Sequence, residues 1–216
     1  MRAGSEVGRQ ITIVALGDST TAGRPGFKSA IESPPDGEGD VTSQYGYWLE
    51  RARVDWRVLN RGVNGERTDQ IRARFARDVG AALPELVVII AGVNDVYQGR
   101  PAETVQAELT RMYGLADEAG IPAVAGSILP YNRATPDQNA RMHAINAWIR
   151  LTAAGRRPRM AYCDTRAAVA APGQPDRLVS SPDELHPSAE GYRLMADALR
   201  PVIEELLDRT RRPREP

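Results

Sequence analysis

One stretch decides how this chain folds: Ile11-Thr12-Ile13-Val14-Ala15-Leu16-Gly17-Asp18-Ser19-Thr20. Its first six residues form a mostly apolar, β-branched run, which is typical of a strand buried on both faces of a parallel sheet. Gly17 then supplies a residue without Cβ where the chain must turn sharply. Ser19 is therefore predicted at the carboxyl end of a strand, where open α/β sheets bind their ligands.

Two interpretations of Ser19 stay open on this stretch alone. Asp18, Ser19 and Thr20 are residue types that favour helix N-caps, so local turn chemistry explains them without catalysis. A serine at the end of a sheet strand is also well placed to act as a nucleophile. The choice depends on what the rest of the chain brings to the same place.

Strands alternate with helices along the rest of the chain, which predicts a parallel sheet with helices on both faces. Residues 164–182 are harder to assign, since Pro172, Gly173 and Pro175 argue against one long helix. The predicted strands are 11–16, 56–59, 86–91, 121–129 and 159–163, and the predicted helices are 43–54, 68–83, 101–119, 136–154 and a last one that follows Pro187 and ends near Asp208.

Length and composition indicate one globular domain. The 216 residues fit a single domain over 1–216, with an ordered core over 10–208 and a polar tail over 209–216. Lys plus Arg and Asp plus Glu each number 28, so the zero net charge predicts no nucleic-acid partner. Cys163 is the only cysteine, which excludes an internal disulfide, and its apolar neighbours predict a core position. Two histidines and one cysteine argue against a His/Cys metal site.

The N-terminal residues 1–10 are polar and lack the apolar segment of a signal peptide. No apolar run approaches the length that spans a bilayer. We therefore expect a cytoplasmic protein, unless a leader was removed from the sequence. The oligomeric state is not encoded in any pattern that we recognise.

Four loops follow predicted strands: 17–20, 60–65, 92–95 and 130–132. Because the carboxyl ends of parallel strands share one sheet edge, these loops are expected to meet in space. Such a cluster suits acyl transfer, which needs a nucleophile, a base, a group that orients the base, and donors for an oxyanion.

His186 is the better of two candidate bases. His143 lies inside a predicted helix among apolar residues, where a packed or surface histidine is the simpler interpretation. His186 directly precedes the last helix, and Asp183 lies three residues before it. A turn of that length lets the carboxylate orient the imidazole, which would accept a proton from Ser19. The alternative is that Asp183 merely caps a turn.

Oxyanion donors are available on the neighbouring loops. Gly65 is able to present a backbone N–H, Asn94 a side-chain amide, and Ser19 its own N–H. Asn and Gly also favour turns, so a purely structural interpretation remains for these residues.

Four short blocks resemble those of the SGNH, or GDSL, hydrolases in order and position. They are Gly17-Asp18-Ser19, Asn60 with Gly65, Gly92-Val93-Asn94-Asp95, and Asp183-Glu184-Leu185-His186. The resemblance spans residues 11 to 199. It implies a flavodoxin-like, three-layer α/β/α fold with a sheet of about five parallel strands, and an ester or thioester hydrolase that needs no metal or cofactor. It departs from the family pattern at Thr20, where the family often has Leu.

The resemblance also implies roles for single residues. Ser19 is the expected nucleophile, His186 the base and Asp183 its orienter. Gly65 and Asn94 complete the expected oxyanion hole with the Ser19 N–H, and Gly62 is the competing choice for Gly65. Asp18 and Asp95 are expected to hold the loops.

The substrate is expected to be a small-molecule ester. Aromatic and apolar residues near the motifs are candidates for its pocket, although Tyr47 fits a helix core equally well: Tyr45, Tyr47, Val96, Tyr97 and Tyr131. Residues 24–42 follow the nucleophile and form a candidate lid. Thioesters, lysophospholipids and acetylated sugars remain alternative substrates, and an acyltransferase or a non-catalytic binding module remain alternative functions.

Overall fold

A computed structural model describes residues 10–211, and all structural statements below refer to them. The strands are β1 Ile11–Gly17, β2 Phe27–Lys28, β3 Glu38–Gly39, β4 Trp56–Gly62, β5 Leu86–Ile90, β6 Ala123–Gly126, β7 Met160–Cys163, β8 Ala170–Ala171 and β9 Gln174–Leu178. The α-helices are α1 Ser19–Ala22, α2 Tyr45–Ala52, α3 Thr68–Ala73, α4 Phe75–Asp78, α5 Val93–Tyr97, α6 Ala102–Glu118, α7 Pro136–Gly155, α8 Thr165–Val169 and α9 Ala189–Arg211.

Within these residues, a five-stranded parallel sheet has the order β4-β1-β5-β6-β7. β1 lies between β4 and β5, so Gly17 is paired with Gly62 on one side and with Ile90 on the other. The strand order reverses beside β1, and such a switch point opens a crevice at the carboxyl ends of the strands. The predicted three-layer, flavodoxin-like architecture is confirmed.

Each face of the sheet carries its own apolar core. Along β1, Ile13 and Ala15 contribute to the core formed with α2, α8 and α9, whereas Val14 and Leu16 contribute to the core formed with α3, α4, α6 and α7. Successive side chains of a strand point to opposite faces, so the continuous apolar run of β1 supplies both layers. This double burial places the end of β1 in the middle of the molecule.

The predicted helix over 68–83 is wrong as a single helix. It divides into α3 and α4 at Arg74, whose φ of −101° and ψ of 6° depart from helical values, and a short 3₁₀ turn follows at Gly80–Ala82. Leu83, assigned to the apolar stripe, is 82% exposed with a φ of 45°. Periodicity alone did not reveal the break, because Ile71, Phe75 and Val79 are buried as predicted.

The fourth predicted strand, 121–129, is shorter in the structure, where β6 covers only Ala123–Gly126. Beyond Gly126, a side chain takes the place of the backbone hydrogen bonds between neighbouring strands. The paired residues end at Gly126. Beyond them, the Asn146 amide on α7 binds both backbone groups of Ile128, accepting from its N–H at 2.7 Å and donating to its carbonyl at 2.9 Å. The chain therefore leaves the sheet towards the loop at 130–132.

The last helix reaches Arg211, three residues past the predicted end. Arg209, assigned to the polar tail, lies in this helix and donates to the carbonyl oxygens of Pro158 and Met160. The remaining tail residues and the N-terminal residues 1–9 lie outside the described part of the chain. In the described part, no helix combines the length and the apolar character that a membrane span requires.

Candidate active site

The nucleophile turn, residues 17–22, is built around a glycine that cannot be replaced without overlap. A Cβ on Gly17 would overlap the Thr21 hydroxyl oxygen and the Ile90 carbonyl oxygen. The Asp18 carboxylate accepts from the Thr20 N–H at 3.0 Å and thereby caps α1. Ser19 is the first residue of α1 and is 5% exposed. The tight turn thus ends β1 with the Ser19 side chain at the switch point.

The base loop, residues 183–186, brings an imidazole to this serine. His186 Nε2 lies 3.0 Å from Ser19 Oγ, and His186 Nδ1 lies 2.7 Å from Asp183 Oδ2. The other Asp183 oxygen accepts from the backbone N–H groups of Leu185 at 3.0 Å and His186 at 2.8 Å. One carboxylate therefore shapes the loop and orients the ring.

The pKa of Asp18 in the nucleophile turn and the pKa of Asp183 in the base loop are shifted in opposite directions. Burial raises the pKa of Asp18 from 3.8 to about 7, although the hydrogen bond from Thr20 opposes this effect. At Asp183, partial burial also raises the pKa, but hydrogen bonds from His186 and Leu185 outweigh it, and the pKa falls below 3.8. Asp183 is thus ionised at neutral pH and accepts from Nδ1–H, which leaves Nε2 free to take a proton.

Asn94 and Gly65 lie on loops that meet at this crevice. The Asn94 side chain lines the cavity beside Ser19, and its Nδ2 also donates to the Glu66 carbonyl at 2.9 Å. Gly65 has a φ of +77°, which favours glycine, and a Cβ there would meet nothing within 4 Å.

Gly62, the competing choice, serves packing. A Cβ on Gly62 would overlap the backbone of Ala22, and its N–H donates to Asn60 Oδ1 at 3.0 Å. The Gly62 N–H thus already has a partner, whereas the role of Gly65 as a backbone donor stays a prediction.

Asp95 links the Gly92–Asp95 motif to the start of α3 through hydrogen bonds. Its side chain is fully buried and accepts from the Thr68 N–H and hydroxyl, each at 2.9 Å, and from Arg100 at 2.9 Å. These contacts hold the segment before α3 against the segment that carries Asn94, as expected from its position.

A cavity of about 190 Å³ opens beside Ser19 and His186. Tyr97 and Tyr131, two of the candidates for the substrate pocket, line this cavity with ring centroids 6.1 Å apart. Six further lining residues were not predicted, although each lies within two residues of a residue singled out for the site: Thr20, Asn64, Val93, Leu129, Pro130 and Leu185. Adjacency to those residues is the signal that would have found them.

Two residues proposed for the pocket belong to the core instead. Tyr45 is 1% exposed and its hydroxyl donates to Thr21 Oγ1 at 3.3 Å, while Val96 is fully buried against the opposite core. Consecutive helix residues point in different directions, so Val96 faces inward where Tyr97 faces the cavity. Both assignments were wrong because sequence proximity does not determine direction.

Residues 24–42 pack beside the site. Glu32 Oε1 accepts from the Asn64 N–H at 3.1 Å and pairs with Arg24 at 2.7 Å, and Ser29 Oγ donates to the Gly62 carbonyl at 2.6 Å. No residue of this segment is among the described residues that line the cavity. The segment packs against the loop that contains Gly65 from outside the cavity, and its role as a lid stays a prediction.

The other candidate groups lie elsewhere. His143 on α7 pairs with Asp176 at 2.6 Å, away from the cavity that contains Ser19. Cys163 is 2% exposed, and burial raises the pKa of its thiol to about 12, which makes it a poor nucleophile. Among residues 10–211, no group of three or more His, Cys, Asp or Glu side chains is arranged to hold a metal ion.

Comparison with known proteins gives a consistent match. Residues 15–194 match the model of the GDSL-like lipase/acylhydrolase family. An arylesterase from Vibrio mimicus is 29% identical over 113 residues, which are 52% of this chain and 52% of that protein. The chain thus matches about half the length of this curated relative.

Solved structures share the fold at low sequence identity. One is described as a putative lipolytic protein of the G-D-S-L family from Desulfitobacterium hafniense, with a TM-score of 0.73, 24% identity, and coverage of 89% of this chain and 99% of that one. Another is a mutant of an acetyl-xylooligosaccharide esterase from Geobacillus, with a TM-score of 0.69, 21% identity, and coverage of 93% and 95%.

Proposed function

The chain belongs to the GDSL-like lipase/acylhydrolase family, and on that premise we propose that it hydrolyses small, uncharged carboxylic esters through Ser19, His186 and Asp183. The observation that carries the proposal is the continuous contact from Ser19 Oγ to His186 Nε2 at 3.0 Å and from His186 Nδ1 to Asp183 Oδ2 at 2.7 Å. These distances allow proton transfer without rearrangement.

The proposed reaction has two steps. Ser19 Oγ attacks the ester carbonyl carbon while His186 Nε2 takes the hydroxyl proton, and His186 then returns that proton to the leaving alcohol. Water, activated by the same nitrogen, hydrolyses the acyl-enzyme and restores Ser19. Asp183 stays ionised throughout and stabilises the imidazolium that forms in each step.

The developing oxyanion has three candidate donors. The Ser19 N–H belongs to the first turn of α1, where backbone donors have no partner within the helix. The Gly65 N–H and the Asn94 side-chain amide complete the proposed set. Asn94 Nδ2 carries two hydrogens, so it is able to hold the Glu66 carbonyl and still donate to substrate.

A structural neighbour supports the same assignment. Structures of catalytic mutants of an acetylxylan esterase from Geobacillus stearothermophilus replace a serine, an aspartate and a histidine that lies three residues after the aspartate. Asp183 and His186 have the same residue types at the same spacing.

The cavity favours short, neutral substrates. Its volume of about 190 Å³ lies below the roughly 300–1,000 Å³ of sites for drug-sized ligands. None of the described residues that line it is Asp, Glu, Lys or Arg. The phosphates of an acyl-CoA would thus find no cationic partner in the cavity, and a long acyl chain would extend beyond it. Acetylated sugars remain a second candidate, because Asn64 adds a polar side chain to the wall.

The test is ester hydrolysis by wild-type protein and by Ser19→Ala. We expect the wild type to turn over p-nitrophenyl acetate and butyrate faster than longer esters or acyl-CoA, with acetylated xylo-oligosaccharides assayed in parallel. Ser19→Ala should remain folded and lose on the order of 10⁶-fold in kcat. Thr21→Val, which removes a buried hydroxyl of the same turn, serves as the matched control and should keep kcat near the wild-type value.

Two further measurements separate the remaining alternatives. A fluorophosphonate probe should label the wild type and not Ser19→Ala, whereas a binding module that kept only the fold would not be labelled at all. Product analysis with an added alcohol distinguishes an acyltransferase, which would form a new ester in place of the free acid. Retained turnover by Ser19→Ala would contradict the proposed nucleophile.

A further inference from the structure

The guanidinium of Arg74 joins three segments that are distant in sequence. Arg74 separates α3 from α4, and its side chain is 7% exposed. Nη2 donates to the Gly17 carbonyl at 2.7 Å, Nη1 donates to the Arg61 carbonyl at 2.8 Å and to Asp78 at 2.6 Å, and Nε donates to the Glu66 carboxylate at 2.6 Å. Each of its three nitrogens thus has an acceptor.

These acceptors belong to the loops of the candidate site. Gly17 directly precedes Asp18 in the nucleophile turn, and its carbonyl also accepts from the Val63 N–H at 3.2 Å. Glu66 directly follows Gly65, and the Glu66 carbonyl accepts from Asn94 Nδ2. Arg74 therefore contacts the nucleophile turn and the Gly65 loop directly, and reaches Asn94 through one further residue.

We propose that Arg74 is a positioning residue that sets the distance between Ser19 and the oxyanion donors at Gly65 and Asn94. This inference rests on the proposed function and concerns a residue that touches no substrate, since Arg74 does not line the cavity beside Ser19.

The arrangement requires the shape of arginine as well as its charge. A guanidinium is a rigid, planar fork with donors on three nitrogens, whereas a lysine ammonium is a single point on a flexible stem. Lysine would keep a positive charge near Glu66 and Asp78 but would not reach the Gly17 and Arg61 carbonyls at the same time. Arg74→Lys is therefore the informative variant, because it spares the buried carboxylates from losing their counter-charge.

A matched control lies three residues further on. Arg77 is 65% exposed and also binds Asp78, with its Nε 2.7 Å from Oδ1, but it contacts no site loop. Arg77→Lys makes the same chemical change next to the same carboxylate. Any effect that runs through Asp78 alone should appear in both variants.

The experiment measures kcat and KM for p-nitrophenyl acetate, thermal unfolding, and amide hydrogen exchange in the wild type and in both variants. We expect Arg74→Lys to lose about 10²-fold in kcat with KM changed less than threefold, since small misplacements of catalytic groups have effects of this size. Exchange should rise in residues 17–22 and 61–66. Arg77→Lys should match the wild type in all these measurements.

A third variant covers the case in which lysine perturbs folding. Arg74→Ala should regain part of its kcat when millimolar guanidinium is added, and Arg77→Ala should show no such response. Rescue of this kind reports on positioning and would not follow from lower stability alone.

The outcomes separate this inference from the proposed function. An Arg74→Lys protein that is folded and keeps kcat within twofold, or that changes only KM, would overturn the inference while wild-type turnover still supports the function. A wild type without esterase activity would reject the proposed function, and amide exchange in residues 17–22 and 61–66 would still test whether Arg74 positions the two loops. Unchanged exchange in both loops would also overturn the inference, whatever the activity.

Discussion

The nucleophile turn and the base loop contribute neighbouring groups to one site, but they are held in different ways. In the turn, Asp18 and Ser19 are 1% and 5% exposed. In the base loop, the side chains of Asp183 and His186 are 32% and 15% exposed, and Leu185 is 38% exposed. The turn is packed between two strands and bound by Arg74 at the Gly17 carbonyl. The more exposed base loop depends mainly on hydrogen bonds: three to the Asp183 carboxylate, and one from the Asn132 N–H to the Glu184 carbonyl at 2.8 Å.

This difference predicts which property a substitution in each segment should change first. A change in the turn forces atoms into a closely packed interior, so its first effect is on stability. A change in the base loop meets little steric resistance, so its first effect is on the orientation and tautomer of His186. These two environments also shift the two carboxyl pKa values in opposite directions: the pKa of Asp18 is raised and that of Asp183 is lowered.

Among the variants that test this comparison, Asp183→Asn in the base loop has the largest expected effect. An amide in place of the carboxylate no longer stabilises the imidazolium and favours the wrong tautomer of His186, so kcat should fall about 10⁴-fold. At neutral pH the midpoint of thermal unfolding should fall only slightly, because the Asp183 side chain is 32% exposed. Steady-state kinetics and calorimetry check both expectations.

Asp137→Asn is the matched control for that variant, because Asp137 is 78% exposed and pairs with Arg141 on the surface of α7. Its kcat should equal that of the wild type. Loss of less than tenfold in Asp183→Asn would contradict the role proposed for the carboxylate.

An intermediate effect, on stability, is expected from Gly17→Ala in the nucleophile turn. The added Cβ overlaps the Ile90 carbonyl, which belongs to the sheet and has no freedom to move away. The free energy of unfolding should fall by about 1–3 kcal/mol, as in other overpacked interiors. Urea unfolding measures this change.

Gly114→Ala is the matched control, because the same substitution should here raise the free energy of unfolding. Gly114 lies inside α6, and a Cβ there meets nothing within 4 Å. Alanine favours the helix, so stability should rise by up to about 1 kcal/mol. Equal stability of the two variants would show that the turn is looser than its packing indicates.

The pH dependence of stability sharpens the comparison of the two carboxyls. The folded protein holds a proton on Asp18 up to about pH 7, whereas the unfolded chain releases it near pH 3.8. The contribution of Asp18 to stability is therefore lost as the pH rises from about 4 to 7. Asp18→Asn should gain stability relative to the wild type over that range and then level off.

Asp183 should behave in the opposite sense. Its pKa is lowered in the folded protein, so its contribution is present at neutral pH and is lost as the pH falls through the carboxyl range. Unfolding curves of wild type, Asp18→Asn and Asp183→Asn from about pH 2.5 to pH 7.5 measure both slopes, that of Asp183 below about pH 4 and that of Asp18 above it. Parallel slopes for the two variants would contradict the assigned environments.

Much of the fold was predictable because its signals are local. The apolar run of β1 and the alternation of strands with helices predicted the parallel sheet, and the same alternation predicted which loops follow strands. The residue types of Ser19, Asp183 and His186 then suggested one chemistry at one sheet edge. Their catalytic roles stay predictions, and the structure adds the distances that make them testable.

Other features depended on direction and contact, which no local pattern reports. Tyr45 and Val96 lie next to site residues in sequence but point into the core. Gly62 and Gly65 are equivalent as residue types and differ only in what surrounds them.

The sequence by itself determined that this chain forms an α/β sheet with its polar motifs at the ends of strands, because burial patterns and turn residues act over a few positions. Only the tertiary structure decided how the turn at Ser19 is held. The Gly17 carbonyl meets a guanidinium from residue 74, and the Ser19 hydroxyl meets an imidazole from residue 186. Such contacts arise from the packing of whole layers, so their partners are separated by tens to more than a hundred residues and leave no periodic trace in the chain.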